Sequence, residues 1–128
     1  MMSRRHYRRF FLPSMEHMSF LPYGVVHLHI GSLHVAEMIA EVPNVRAINL
    51  YFDDPNVSLQ EAMPTLRRLQ DSGTPLILAK DVYQGFSLAE YEEILEGLRP
   101  RGLSVHLRAD SAEEGRAVME AVSARAQG

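Results

Sequence analysis

Four times in 128 residues the chain passes through a short apolar segment of β character, a polar turn and a helical stretch. The apolar segments are Gly24 to Ile30, Val45 to Phe52, Pro75 to Ala79 and Leu103 to Leu107, each rich in Val, Ile, Leu or Tyr and too short for a helix. A helix start follows each one, which is the pattern of parallel strands joined by crossover helices. The expected fold is α/β: an N-terminal helix followed by four parallel βα units, the rhythm of half a TIM-type barrel, in one domain spanning residues 1–128. A half barrel cannot close alone, so an oligomer, or a partner supplying the other half, is expected.

Turn and capping residues place the helices. Ser3 to about Met18 reads as an amphipathic helix with Tyr7, Phe10 and Phe11 on one side and Arg4, Arg5, Arg8 and Arg9 on the other, interrupted near Pro13. Those arginines are read as a solvated face. Val35, Met38 and Ile39 mark the helix after the first strand, and Pro43-Asn44 ends it in a turn. Ser58 with Glu61 and Ser87 with Glu90 have the spacing of capping boxes, and Asp110 with Glu113 repeats it before the last helix. Pro64 either kinks the third helix or starts it afresh, and Gly73 closes it.

Composition narrows the partners. A formal charge of −3 and a pI near 6.0 give no basic field for nucleic acid or an anionic membrane. With no cysteine there is no disulfide, thiolate metal site or thiol nucleophile, which is compatible with a reducing cytoplasm. Only Phe10, Phe11 and Leu12 run consecutively apolar near the N-terminus, so neither a secretory segment nor a membrane span is expected there. The methionines are read as core filler.

Ligands of parallel βα folds bind where strand carboxyl ends, loops and helix N-termini converge. Those ends carry His27 and His29, then Asp53 and Asp54, then Lys80 and Asp81, then Arg108 and Asp110. His27 and His29 are two apart, so both face one side of the strand. His29, beside Gly31 and Ser32, is the stronger candidate for proton transfer or hydrogen bonding; His27 is at least as well explained by neighbouring polar groups. Asp53 is the site candidate of its pair, and Asp54 a turn residue. Lys80 could hold a carboxylate with Asp81 orienting it, or the two could pair and cap the next loop; Arg108 is a weaker binding candidate. A metal site among His27, His29, His34, Asp53 and Asp54 matches no ligand spacing, so neither metal nor cofactor is expected.

The runs Tyr7-Arg8-Arg9-Phe10-Phe11-Leu12-Pro13, Val26-His27-Leu28-His29-Ile30-Gly31-Ser32 and Glu41-Val42-Pro43-Asn44-Val45-Arg46-Ala47-Ile48-Asn49, with Leu98-Arg99-Pro100-Arg101-Gly102-Leu103 and Ser111-Ala112-Glu113-Glu114, resemble the later half of the uroporphyrinogen decarboxylase family. The resemblance covers nearly the whole chain. It implies the second half of a (β/α)8 barrel and, for His27 or His29, the role of the family's functional histidine. That family includes tetrapyrrole acetate decarboxylases and corrinoid-linked methyltransferases. The decarboxylases draw a catalytic aspartate and arginines from an N-terminal half without a counterpart here, and the methyltransferases hold zinc with cysteines that this chain lacks.

The expected function is therefore binding or conversion of a small anionic organic molecule, tetrapyrrole, corrinoid-linked or other. His29 and Asp53 would be the reacting groups, and His27, Ser32, Lys80, Asp81 and Arg108 the binding ones. The alternative is a non-catalytic half barrel that completes a site with a separate chain, or a truncated fragment.

Overall fold

The computed structural model describes residues 2–80 and 84–127. Four strands, β1 (Gly24–His29), β2 (Val45–Phe52), β3 (Leu76–Lys80) and β4 (Leu103–Val105), form one all-parallel sheet in the order β1-β2-β3-β4. His27 aligns with Asn49, Asn49 with Ile77, and Ile77 with Ser104, so the four strand tips end at one side of the molecule. The sheet is open, with β1 and β4 as its edges.

The crossovers are the expected helices. A 3-10 segment (Ile30–Val35) leads into the short α3 (Ala36–Ala40) between β1 and β2. Helix α4 (Leu59–Asp71) joins β2 to β3, α5 (Leu88–Gly97) joins β3 to β4, and α6 (Ala112–Gln127) follows β4. Both capping boxes form, Ser58 with Glu61 and Ser87 with Glu90. Helix α4 runs on through Pro64 without a fresh start. The third box is displaced by one residue: the Glu114 N–H donates to Ser111 Oγ and the Asp110 N–H donates to the Glu114 carboxylate, so Ser111, not Asp110, caps α6.

Residues 4–20 are helical throughout but not uniformly. Helix α1 (Arg4–His6) widens into a π-helical turn (Tyr7–Phe11), then continues as α2 (Leu12–His17) and a 3-10 turn (Met18–Phe20). Pro13 lies at the start of α2, where its missing N–H costs least. The wide turn brings Phe11 over Tyr7, with ring centroids 5.5 Å apart, and turns Phe10 outward against His6. Phe10 thus leaves the face it was expected to share with Tyr7. The helix runs antiparallel to β1, since His34, just beyond the tip of β1, reaches the Met2 carbonyl at 2.8 Å, while Asn44, just before β2, reaches that of Met18 at 3.1 Å.

One hydrophobic cluster holds these elements together. Leu28, Ile48, Leu50, Leu76 and Leu78 pack from the strands against Val35, Met38, Ile39, Leu66, Leu69 and Ile94, with Tyr7, Leu12 and Met15 at its margin. The alternation of burial along each strand assigns Val26 and Leu28, Ile48 and Leu50, Leu76 and Leu78, and Leu103 and Val105 to this one side. The opposite face presents Val25, Ala47, Ile77 and Ala79 with His27, His29, Asn49, Tyr51, Ser104 and His106; the histidines, Val25 and Ser104 are exposed and Ala79 is buried. All-parallel sheets almost always have both faces covered, so a second face without a helix layer, mixing imidazoles and amides with small apolar residues, is unusual. No helix among the described residues is long and apolar enough to cross a membrane.

Candidate functional site

The candidate residues gather on the bare face and at the strand tips. Period-two alternation on β1 sends His27 and His29 to this face, and the same alternation on β2 brings Asn49 and Tyr51 beside them. The two imidazoles meet edge to face with centroids 5.0 Å apart, and the Tyr51 ring lies 5.4 Å from His27 and 5.7 Å from His29. Each imidazole is held through Nδ1. The His29 Nδ1–H donates to Asp53 Oδ2 at 2.5 Å, and the His27 Nδ1–H donates to Asn49 Oδ1 at 2.7 Å. An acceptor at Nδ1 fixes the tautomer that leaves Nε2 able to accept a proton or hydrogen bond.

Asp53 is positioned by the end of β2, whose chain turns immediately so that the Asp53 N–H bonds the Tyr51 carbonyl at 3.1 Å. The hydrogen bond from His29 holds its carboxyl below the ordinary value of 3.8, against a smaller opposing effect of burial. Asp54 does what a turn residue does: its carboxylate accepts from the Asn56 backbone and side-chain amides at 2.9 and 3.0 Å.

The basic candidates are engaged locally. Lys80 pairs with Glu90, the N3 residue of the α5 capping box, and stands 5.2 Å from the centroid of Phe86. Burial pushes Glu90 upward, but Lys80 and the Ser87 N–H together hold it below the ordinary carboxylate range. Arg108 forms a two-pronged pair with Asp110, both distances 2.9 Å, which raises the guanidinium and lowers the carboxyl. Asp110 is therefore an ion-pair partner at the mouth, not a helix cap. Ser32 is half-buried in the turn after β1 and lines neither cleft at the strand ends. Asp81 lies outside the described residues.

A cleft of about 730 Å³ runs across the bare face, lined by His27, Asn49, Tyr51, Lys80, His106, Arg108 and Asp110. His29 and Asp53 flank it: His29 touches the rings of His27 and Tyr51, and Asp53 lines a second cleft of about 450 Å³ that shares Lys80. His27 and His106 are the imidazoles of the larger cleft, and its two cations are each matched by a carboxylate, Lys80 by Glu90 and Arg108 by Asp110, so an anionic ligand would meet them by displacing those partners. Gly85 lines the same cleft with φ +42°, and a Cβ there would stand 2.8 Å from the Arg108 nitrogen, so the backbone close to Arg108 depends on glycine.

Asn49, Tyr51 and His106 were not among the residues expected from the sequence, which were sought at the carboxyl ends of the strands. The signal for the first two was present, since they occupy the same alternating side of β2 as the histidines on β1. Among the described residues no group of three or more His, Cys, Asp or Glu side chains could hold a metal ion. No protein family, curated protein or solved structure matches the chain.

Proposed function

We propose that the chain is a half-barrel relative of the uroporphyrinogen decarboxylases, acting on or binding a small polycarboxylated organic molecule, with a tetrapyrrole as the leading candidate, on the bare face of its sheet. The observation that carries this reading is the His29–Asp53 pair beside a cleft of cationic and imidazole groups at the tips of parallel strands. The strand order and the placement of the packed core on one side support the half barrel. In a doubly wound sheet helices cover both faces, whereas in a βα barrel the second face is the barrel interior.

In this reading His29 Nε2 exchanges a proton with the ligand or bonds it, while Asp53 orients the ring and stabilises its charged form. His27, tied to Asn49, supplies the neighbouring acceptor. Arg108 and Lys80 meet carboxylates by exchanging their present partners, Asp110 and Glu90, for the ligand. A cytoplasmic site of action belongs to the same proposal. The open face and free edges favour a second reading, in which the chain is a non-catalytic half that completes a site with other strands.

Titration with a polycarboxylated porphyrin, followed by its absorbance, tests the first reading. His29→Ala should weaken binding about 10- to 100-fold, the loss of a hydrogen bond to a charged group worth about 1.5–3 kcal/mol, while the circular dichroism spectrum stays unchanged. Equal binding by His29→Ala removes His29 from the site. No binding by the native chain removes the tetrapyrrole and leaves the second reading.

A further inference from the structure

We infer that the two edges of this molecule are complementary to each other, and that a second copy of the chain docks edge to edge on it, β1 of each beside β4 of the other, to enclose the bare face. This rests on the half-barrel reading of the sheet.

The exposed apolar side chains are divided between the edges. Of the nine large hydrophobic side chains that stand most exposed among the described residues, eight lie between Met2 and Val25: Phe10, Phe11, Met18 and Phe20 in the helical segment, Val25 in β1, and Met2, Leu21 and Tyr23 in the chain before and between them. Phe20 is 77% exposed and Tyr23 80%. The ninth, Met119, belongs to the other edge, where α5, β4 and α6 leave an apolar cleft of about 430 Å³ between Leu95, Val105, Val118, Met119 and Val122. One edge therefore offers projecting apolar groups and the other a cleft to receive them. Exposed apolar area concentrated in this way marks an interaction surface.

Charge follows the same division. Arg4, Arg5, Arg8 and Arg9 lie on the β1 side, surround a cleft of about 520 Å³, and form no ion pair among the described residues; no acidic residue precedes Glu16. On the β4 side, α5 and α6 together carry seven glutamates against two arginines, and Glu96, Glu113 and Glu120 have no partner among the described residues. Opposite fields on opposite edges favour head-to-tail pairing of identical chains and oppose pairing of like edges.

A head-to-tail contact closes only when the rotation between copies returns to the start; otherwise it runs on as a filament. Four strands of an eight-stranded barrel span half its circumference, so two copies close the ring with every strand still parallel. Closure hydrogen-bonds both free edges, covers both bare faces, and sets the two His29–Asp53 pairs around one enclosed chamber. The site is incomplete without the second copy.

Sedimentation equilibrium over 1–100 μM, with complementary charge reversal, tests this. The native chain should sediment at twice its 14.5 kDa mass. Arg5→Glu, Arg8→Glu with Arg9→Glu gives one variant, and Glu96→Lys, Glu113→Lys with Glu120→Lys gives the other; each alone should be a folded monomer, and their equimolar mixture should recover the doubled mass. A native monomer, an open-ended series of larger species, or a mixture that stays monomeric overturns the inference. Should either triple variant fail to fold, Met119→Glu replaces it and should by itself lower association at least tenfold; unchanged association overturns the inference. His29→Ala should dimerise normally, so a failed interface is distinguishable from a failed ligand site.

Discussion

At the scale of single residues the site depends on which nitrogen of His29 is occupied. Asp53 accepts from Nδ1, and that bond lowers the carboxyl's pKa, so its contribution to stability has a definite sign. A carboxyl whose folded value lies below its unfolded one stabilises fully above the unfolded value and loses that contribution as pH falls through the folded one. Asp53→Asn should therefore cost at most about 1 kcal/mol above pH 5, since solvent reaches both partners, His29 more than Asp53, and the difference from the native chain should shrink as pH falls below 3.8. Urea denaturation of both proteins between pH 2 and 6 measures it; a difference that grows in acid contradicts the assignment. Ligand binding, by contrast, should fall in Asp53→Asn at every pH, because the amide can present its NH2 to Nδ1 and fix the opposite tautomer. His29 and Asp53 were both legible in the sequence as residues at successive strand tips. Their bonding to each other was not, because it depends on the β1–β2 register that pairs His29 with Tyr51, two residues before Asp53.

At the scale of elements, caps and periodicity carried most of the fold. Ser58 and Glu61, and Ser87 and Glu90, stand three apart before apolar runs, and both pairs close as that spacing requires. For the last helix the expected pair was Asp110 with Glu113, and the structure moves the cap one residue on, to Ser111 with Glu114. Arg108 is the reason: its guanidinium engages the Asp110 carboxylate and leaves Ser111 to cap. Ser111→Ala should accordingly destabilise α6 by about 0.5–2 kcal/mol, while Glu113→Gln should leave it unchanged. Because none of the described α6 residues is buried, the loss should show as local fraying, read by amide exchange across residues 112–125, without a shift of the main unfolding transition. The outward turn of Phe10 had a different origin. A π-helical turn changes the angular period for a few residues, and nothing in the spacing of Tyr7, Phe10 and Phe11 announces it.

At the scale of the molecule, four apolar runs each followed by helix signals were enough to give a parallel sheet, since parallel neighbours need long crossovers. Closure was not legible, because the curvature that decides it is a collective property of the sheet. The open sheet has two ranks of backbone groups of unequal fate. In β2 and β3 both sides of each strand are hydrogen-bonded within the chain, whereas β1 and β4 each have one side free. Amide exchange should therefore grade the strands, with Ile48 to Phe52 and Leu76 to Lys80 slowest and the outward-facing amides of Gly24 to His29 and Leu103 to Val105 fast in dilute solution. If copies join through these edges, raising the protein concentration should slow exchange at the two outer strands by the association factor and leave the two inner ones at their global limit. Protection gained only in the helices would mean that copies meet through the outer layer and that the imidazole-bearing face stays bare. Protection gained by β1 without β4 would describe a like-edge pairing, which the separation of arginines and glutamates disfavours and which would leave Met119 and its cleft uncovered.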